Sequence, residues 1–339
     1  GYSSTLIGVQ HVAKDPAEIG YGQVIRGSSA PQAAAAATAF FDSKPAEPFF
    51  LDIGMFETHR KYRPTSRAED ARYCLPPAHL PDTPETRADM AAFKASARVL
   101  DQAVGSILDS LDAVGLAENT LVICTTDHGI AFPRMKCNLT DAGTGVLLIM
   151  RGAGGFTGGA VCDAMVSHLD VFPTLCDLLK VERPAWLQGE SLLPLARGEA
   201  EEIHEEIFTE VNYHAAFEPQ RGARTRRWKY IRRYDGRTTP VLPNCDDGPS
   251  KSVWLAGGWR AHPVAEEQLY DLLFDPQETH NLAGDPASAG ALAEMRGRLE
   301  RWMRETDDPL LTGAIPVPPD ARVNDANGLS PTEPPMAIA

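Results

Sequence analysis

Leu121-Val122-Ile123-Cys124-Thr125-Thr126-Asp127-His128-Gly129 joins an apolar strand to an acid, an imidazole and a glycine in one short span. The apolar part reads as a buried strand, and two more runs share its character: Pro48-Phe49-Phe50-Leu51-Asp52-Ile53-Gly54 before it and Gly145-Val146-Leu147-Leu148-Ile149-Met150 after it. Leu6-Ile7-Gly8 reads as the end of a short strand. Helical stretches lie between the strands. Residues 31–41 are alanine-rich. Thr83-Pro84-Glu85 supplies a cap, a first-turn proline and an early acid, and Phe93, Ala97, Leu100, Val104, Ile107, Leu111 and Val114 then recur at three- and four-residue spacing until Gly115. Residues 167–180 form a further helix. Strands apolar on both faces, alternating with helices, predict an α/β fold: a mostly parallel sheet covered by helices on both faces.

Beyond about residue 190 the pattern changes. Glu206–Val211, Trp228–Arg232 and Glu267–Leu272 alternate like short strands, and 288–304 suits an amphipathic helix. A smaller C-terminal α+β subdomain with an antiparallel sheet follows. The expected division is 1–195 for the α/β domain, 196–308 for this subdomain, and 309–339 for a proline-rich tail wrapping the surface. The long Pro-, Arg- and Thr-rich segment 59–85 reads as a surface loop, a common place for function.

A net charge of −14 excludes a global basic surface for nucleic acid, while leaving room for a local cationic pocket. No apolar run is long enough for a membrane span. Six cysteines without a Cys-x-x-Cys pair argue against a zinc cluster. The run Arg221, Arg224, Arg226, Arg227, Lys229, Arg232 and Arg233 reads as a strand whose cations pair with acids such as Asp235. Glu201-Glu202 and Glu205-Glu206 read as a solvated acidic face.

In parallel sheets ligands gather beyond the carboxyl ends of the strands. Four polar clusters follow apolar strands here: His11, Glu57-Thr58-His59, Asp127-His128-Gly129 and the loop carrying Lys136. Asp127 and His128 suit a divalent cation, with further ligands needed from elsewhere; the other reading is a turn cap beside a hydrogen-bonded histidine. His59 is either structural or catalytic. Lys136 is either solvated or, with His59, one half of a clamp on a tetrahedral anion.

These residues, in this order, resemble the sulfatases of the alkaline phosphatase superfamily, and within them bacterial heparan N-sulfatase-like members. Leu121–Gly129 resembles the metal-binding strand, and Pro48–Leu51 leading to His59 the substrate-histidine segment. Gly1–His11 resembles the lysine–histidine signature, and Val166–Leu175 the helix after the metal strand. Leu269–Leu272, with Asp275-Pro276, Glu278, Asn281 and Leu282, resembles the C-terminal hairpin. The resemblance implies a hydrolase of sulfate esters or sulfamates, with a sulfated small molecule or glycan as substrate. It makes Asp127 and His128 two ligands of a Ca2+ ion, His59 and Lys136 contacts to the sulfate, and His11 a proton-transfer residue. Glu57 and His214 would face the rest of the substrate. The nucleophile it implies is a formylglycine made from Cys or Ser.

Two departures stand out. Val9 occupies the place of the signature lysine. The paired aspartates and the Cys/Ser-x-Pro-x-Arg segment are absent: Gly1 falls after both, and Cys74-Leu75-Pro76-Pro77-Ala78 carries alanine where arginine belongs. The expectation is a chain that begins inside the fold, carries part of the metal site and no nucleophile, and is inactive alone. The alternatives are a phosphodiesterase or phosphonate hydrolase of the same superfamily, or a non-catalytic protein that binds anionic glycans.

Overall fold

Leu6 and Ile7 are fully buried and anchor the central strand of a parallel sheet. That strand, β1 (Ser3–Gly8), lies between β2 (Gln23–Ile25) and, beyond helix α1 (Ala30–Asp42), β3 (Phe49–Gly54). Both neighbours run parallel to it, with Leu6 opposite Val24 and Asp52. The computed structural model describes residues 1–313, 315 and 321–337. Its contacts divide into two units: Gly1–Pro77 with Pro81–Leu121, and Ala78–Leu80 with Val122–Ala339.

In the first unit, α1 begins in a capping box between Ser29 and Gln32 with a proline in its first turn. Its buried Ala30, Ala33, Ala34, Ala37 and Phe41 recur at helical spacing on one stripe. Ala30 and Ala34 pack on Ala103 of α2 (Pro84–Ala113), beside Val99, Leu100 and Ile107. α2 starts as its sequence predicts: the Thr83 hydroxyl accepts from the backbone of Thr86, and the chain leaves at Gly115 with φ +75°. The segment 59–85 is braced rather than loose. It contains two short 3₁₀ turns, Arg67–Glu69 and Ala71–Tyr73. Arg60 meets Asp89 at 2.8 Å and Arg98 meets Glu69 at 2.5 Å, tying it to α2.

In the second unit, β4 (Val122–Thr125) leads through α3 (Asp141–Thr144) to β5 (Leu148–Arg151). These two strands pair antiparallel, Cys124 opposite Ile149, rather than extending a parallel sheet. The intervening segment folds back, with the Leu147 backbone accepting from Thr125 Oγ1 at 2.7 Å. Nor are all the apolar strands covered on both faces: Phe50 in the first unit and Ile149 in the second are about half exposed. Helices α4 (Val171–Leu179) and α5 (Leu193–Ala196) follow. β6 (Ile207–Tyr213), β7 (Phe217–Arg224) and β8 (Trp228–Arg233) then form a meander. After α6 (Pro249–Ala256), β9 (Glu267–Asp271) completes an antiparallel sheet ordered β6-β7-β8-β9. α7 (Ala289–Glu305) lays Leu292, Met295, Leu299 and Met303 on Ala223, Tyr230 and Leu269 of that sheet. The spacing of these four residues is the amphipathic pattern legible in 288–304.

The basic run sits largely on β7, β8 and the turn between them. Arg221 pairs with Asp308 at 2.5 Å, Arg224 with Asp141 at 2.9 Å, Arg227 with Asp271 at 2.7 Å and Arg233 with Asp235 at 2.8 Å. These arginines are structural. Glu206, expected on a solvated acidic face, instead receives Arg298 and Arg301 at 2.6 Å each. In the tail, β10 (Arg322–Val323) pairs with β11 (Met336–Ala337), and Asn324 donates its backbone N–H to Ala215 at 2.7 Å. Residues 314, 316–320, 338 and 339 of the expected tail lie outside the described residues.

Candidate functional site

β1 and β3 end at the same level because two glycines let their backbones touch. Gly8 has φ +92°, and Val9 donates its N–H to the Gly54 carbonyl at 3.0 Å. A Cβ on Gly54 would lie 1.8 Å from the Val9 oxygen. Only glycine fits such an approach. The segments carrying His11 and Glu57-Thr58-His59 therefore leave neighbouring strands from adjoining positions. His11 is exposed and lines an open cleft of about 860 Å³, together with Gln10, Lys14, Arg26 and Gln32. Glu57 and His59 line a smaller cavity of about 190 Å³ with Phe56, Lys61, Arg63 and Ser96.

Both Glu57 oxygens are engaged. One accepts from the backbone of Ala30, the first residue of α1, at 2.7 Å, and the other accepts from Arg63 at 2.7 Å. Burial pushes this carboxyl up, but the Arg63 and Ala30 hydrogen bonds outweigh it and hold the group below its ordinary value. The ring of His59 packs on Phe56 at 4.7 Å between centroids, and its Nδ1 lies 2.6 Å from the Arg60 carbonyl. With Nδ1–H donating there, Nε2 is the remaining ring nitrogen.

The second unit holds the other expected residues. Asp127 lies two residues past the end of β4, with its side chain 83% exposed, and one of its oxygens lies 3.5 Å from His128 Nε2. His128 Nδ1 lies 2.7 Å from the Gly129 carbonyl. That contact fixes a tautomer with Nδ1–H donating and a lone pair on Nε2, facing the carboxylate. Gly129 permits the exit: a Cβ there would lie 2.0 Å from the Ala142 oxygen. A carboxylate oxygen and an imidazole lone pair turned to one point suit a cation, but a calcium ion takes six to eight ligands. Among the described residues no group of three or more His, Cys, Asp and Glu side chains is placed to hold a metal. The donor pair fits a cation as part of a site.

Lys136 is not a solvated lysine. It is 6% exposed, and its Nζ donates to Asp246 at 2.9 Å. Next to it, burial pushes the Cys137 thiol up to about 12, so this cysteine is inert as a thiolate nucleophile. His214 is exposed in the turn after β6, where its N–H meets the Ala216 carbonyl at 3.3 Å. Cys74, the one Cys-x-Pro in the chain, is 5% exposed at the end of a 3₁₀ turn.

Residues 3–181, more than half of the chain, match the Sulfatase family model. The chain belongs to the sulfatase family. Residues 136–251 also match the model for the C-terminal region of N-sulphoglucosamine sulphohydrolase. The human N-sulphoglucosamine sulphohydrolase is 29% identical over 366 residues, covering 91% of this chain and 72% of that protein. Of the next two curated relatives the chain spans less than half the length. Two solved structures share the fold. One comes from Bacteroides thetaiotaomicron, 22% identical, TM-score 0.71, covering 98% of this chain and 79% of that one. The other was solved with its substrate D-glucosamine-2-N,6-O-disulfate; it is 17% identical, TM-score 0.69, covering 91% of this chain and 81% of that one.

For this sulfatase-family chain, reading the sequence missed several groups near the candidate residues. Arg26 follows β2 by one residue, and β2 is only three residues long, too short to show a period. Arg63 lies in the segment 59–85 and shows its role only through Glu57. His168 Nε2 meets Thr125 Oγ1 at 2.7 Å, bracing the last residue of β4 two positions before Asp127. His204 Nε2 donates to Asp170 Oδ1 at 2.9 Å, a structural role.

Proposed function

We propose that this chain carries the oxyanion-handling residues of a sulfatase that hydrolyses sulfate esters or sulfamates on a small molecule or glycan. The observation that carries the reading is the family match over residues 3–181, because His11, Glu57, His59, Asp127, His128 and Lys136 all fall inside it. The substrate named for the human relative, and the disulfated glucosamine bound in one structural neighbour, support a sulfated amino sugar as the substrate class. Residues 1–195 would form the α/β domain, 196–308 the subdomain and 309–339 the tail.

Each residue has a proposed task. Lys136, through Nζ, and His59, through Nε2 when both of its ring nitrogens carry hydrogens, donate to sulfate oxygens and balance their charge. For Lys136 this means dividing its hydrogens between Asp246 and the anion. His11 supplies the proton that the departing alcohol or amine requires. Glu57 holds Arg63 and the start of α1 as one wall, and His214 faces the remainder of the substrate. Asp127 and His128 would hold a Ca2+ ion, which when bound supplies a Lewis acid for a sulfate oxygen. The nucleophile proposed for such a hydrolase is a formylglycine; none of the six cysteines stands in a Cys-x-Pro-x-Arg segment.

The test is binding rather than turnover. Glucosamine 2-N-sulfate titrated calorimetrically into the chain should bind, and His59→Ala should weaken it by about tenfold, the usual worth of one charge-assisted hydrogen bond. Unchanged affinity in both His59→Ala and His11→Ala would refute the reading. Hydrolysis of 4-nitrophenyl sulfate by the chain, lost in Asp127→Ala, would show that a nucleophile lies within these residues.

A further inference from the structure

The cleft beside His11 is larger and more cationic than one sulfate requires. It measures about 860 Å³, within the range that holds a sugar unit with its substituents. Lys14, Arg26 and His11 line it, and no aspartate or glutamate does, in a chain with 46 acidic residues against 32 basic ones. Five other arginines of this unit find carboxylates: Arg60 has Asp89, Arg63 has Glu57, Arg72 has Asp70, Arg87 has Asp82 and Arg98 has Glu69. Among the described residues neither Lys14 nor Arg26 forms an ion pair. The nearest acid in sequence, Asp15, is turned back to accept from the Ala17 backbone at 3.1 Å, capping the turn Pro16–Ile19.

The loop holding Lys14 is also preformed. Gln10 accepts from the backbones of Val12 and Ala13 at 2.6 and 2.9 Å and donates to the Ala13 carbonyl at 2.6 Å. One side chain thus braces the turn between His11 and Lys14. Opposite, Arg26 stands one residue beyond β2, where the chain turns through Gly27 and Ser28 toward α1. Two cations on separate segments, without carboxylate partners and facing one open cleft, are arranged to hold an anion between them.

We propose that Lys14 and Arg26 form a subsite for a second anionic group of the substrate, a further sulfate or a uronate carboxylate, next to the group attended by His11. The proposal rests on the sulfatase reading above and adds a preference for multiply charged substrates. It gives the positive charge that Val9 does not supply a different location, further along the same cleft.

The experiment compares three ligands on the full chain by calorimetry: glucosamine 2-N-sulfate, glucosamine 2-N,6-O-disulfate, and a disaccharide of glucuronate with glucosamine 2-N-sulfate. The wild-type chain should bind at least one doubly charged ligand about tenfold tighter than the monosulfate; which one gains identifies the anion. In Lys14→Ala/Arg26→Ala that margin should shrink to within about twofold, while Lys14→Arg/Arg26→Lys should keep most of it. Lys44→Ala, which removes a cation outside the cleft, should leave the margin intact. An equal margin in the wild type and the double alanine variant, or no margin for either ligand in the wild type, overturns the subsite alone. Failure of the wild type to bind any of the three counts against the sulfatase reading as well.

Discussion

Replacing Glu278 by glutamine should change how the stability of this chain depends on pH. Glu278 is 1% exposed, and its Oε2 accepts the Asp141 backbone N–H at 2.6 Å. Its Oε1 is buried without a hydrogen-bond partner among the described residues. Around it lie Asp141, Arg224 and Lys229, with Lys229 fully buried and its ammonium 3.1 Å from Asp141. Burial pushes the Glu278 carboxyl up to about 7, and Lys229 only partly opposes it. Asp141 stays below its ordinary value: burial acts to raise it, but Arg224 and Lys229 outweigh that effect. Burial draws Lys229 down from its ordinary value, against the pull of Asp141. The unfolded chain releases the Glu278 proton near 4.5, and the folded chain keeps it to about 7. Across that window the folded state binds more protons, so stability falls as pH rises. The contribution is complete below the unfolded value and lost above the folded one. At about 1.4 kcal/mol per pH unit, the loss between about pH 5 and pH 8 is roughly 2.5 kcal/mol. Urea unfolding followed by tryptophan fluorescence at the two pH values measures it. Relative to wild type, Glu278→Gln should gain about 2.5 kcal/mol on going from pH 5 to pH 8. A difference between the two proteins that stays constant within about 0.5 kcal/mol would refute the reasoning.

Leu299→Ala empties a position 1% exposed between α7 and the β6–β9 sheet and should cost about 2–5 kcal/mol, read as a lower urea midpoint. A cost below about 1 kcal/mol would mean that α7 does not pack as described. Arg221→Ala leaves Asp308 buried without its bidentate partner and should cost about 3–5 kcal/mol in the same assay, whereas Arg72→Ala, whose pair with Asp70 is exposed, should leave the urea midpoint nearly unchanged. Equal effects of the two substitutions would refute the distinction between buried and surface pairs.

Much of the scaffold could be read from the chain because its signals are local. Thr83-Pro84 opens α2, and Gly115 closes it. Leu292, Met295, Leu299 and Met303 mark the buried stripe of α7. The start of β7 is not legible as a strand because a proline and polar residues, Glu218-Pro219-Gln220-Arg221, occupy a strand that is nevertheless almost wholly buried. Its charges are neutralised by distant partners such as Asp308 and Arg233, which no short window contains. Asp127, His128, His59 and His11 stood out because each follows an apolar strand. Lys14 and Arg26 did not, since a cation in a loop normally belongs to solvent.

By itself the order of residues determined the alternation of strands and helices, the caps, and the polar groups at the strand ends, because a backbone conformation is selected by its own side chains and immediate neighbours. Only the folded chain decided that β4 and β5 run antiparallel, that Lys136 is buried against Asp246, that Glu278 holds a proton near neutrality, and that Lys14 and Arg26 share one cleft. Each of those outcomes is a contact or a local dielectric made by residues remote in sequence. Charge energies follow burial and partners rather than residue type alone.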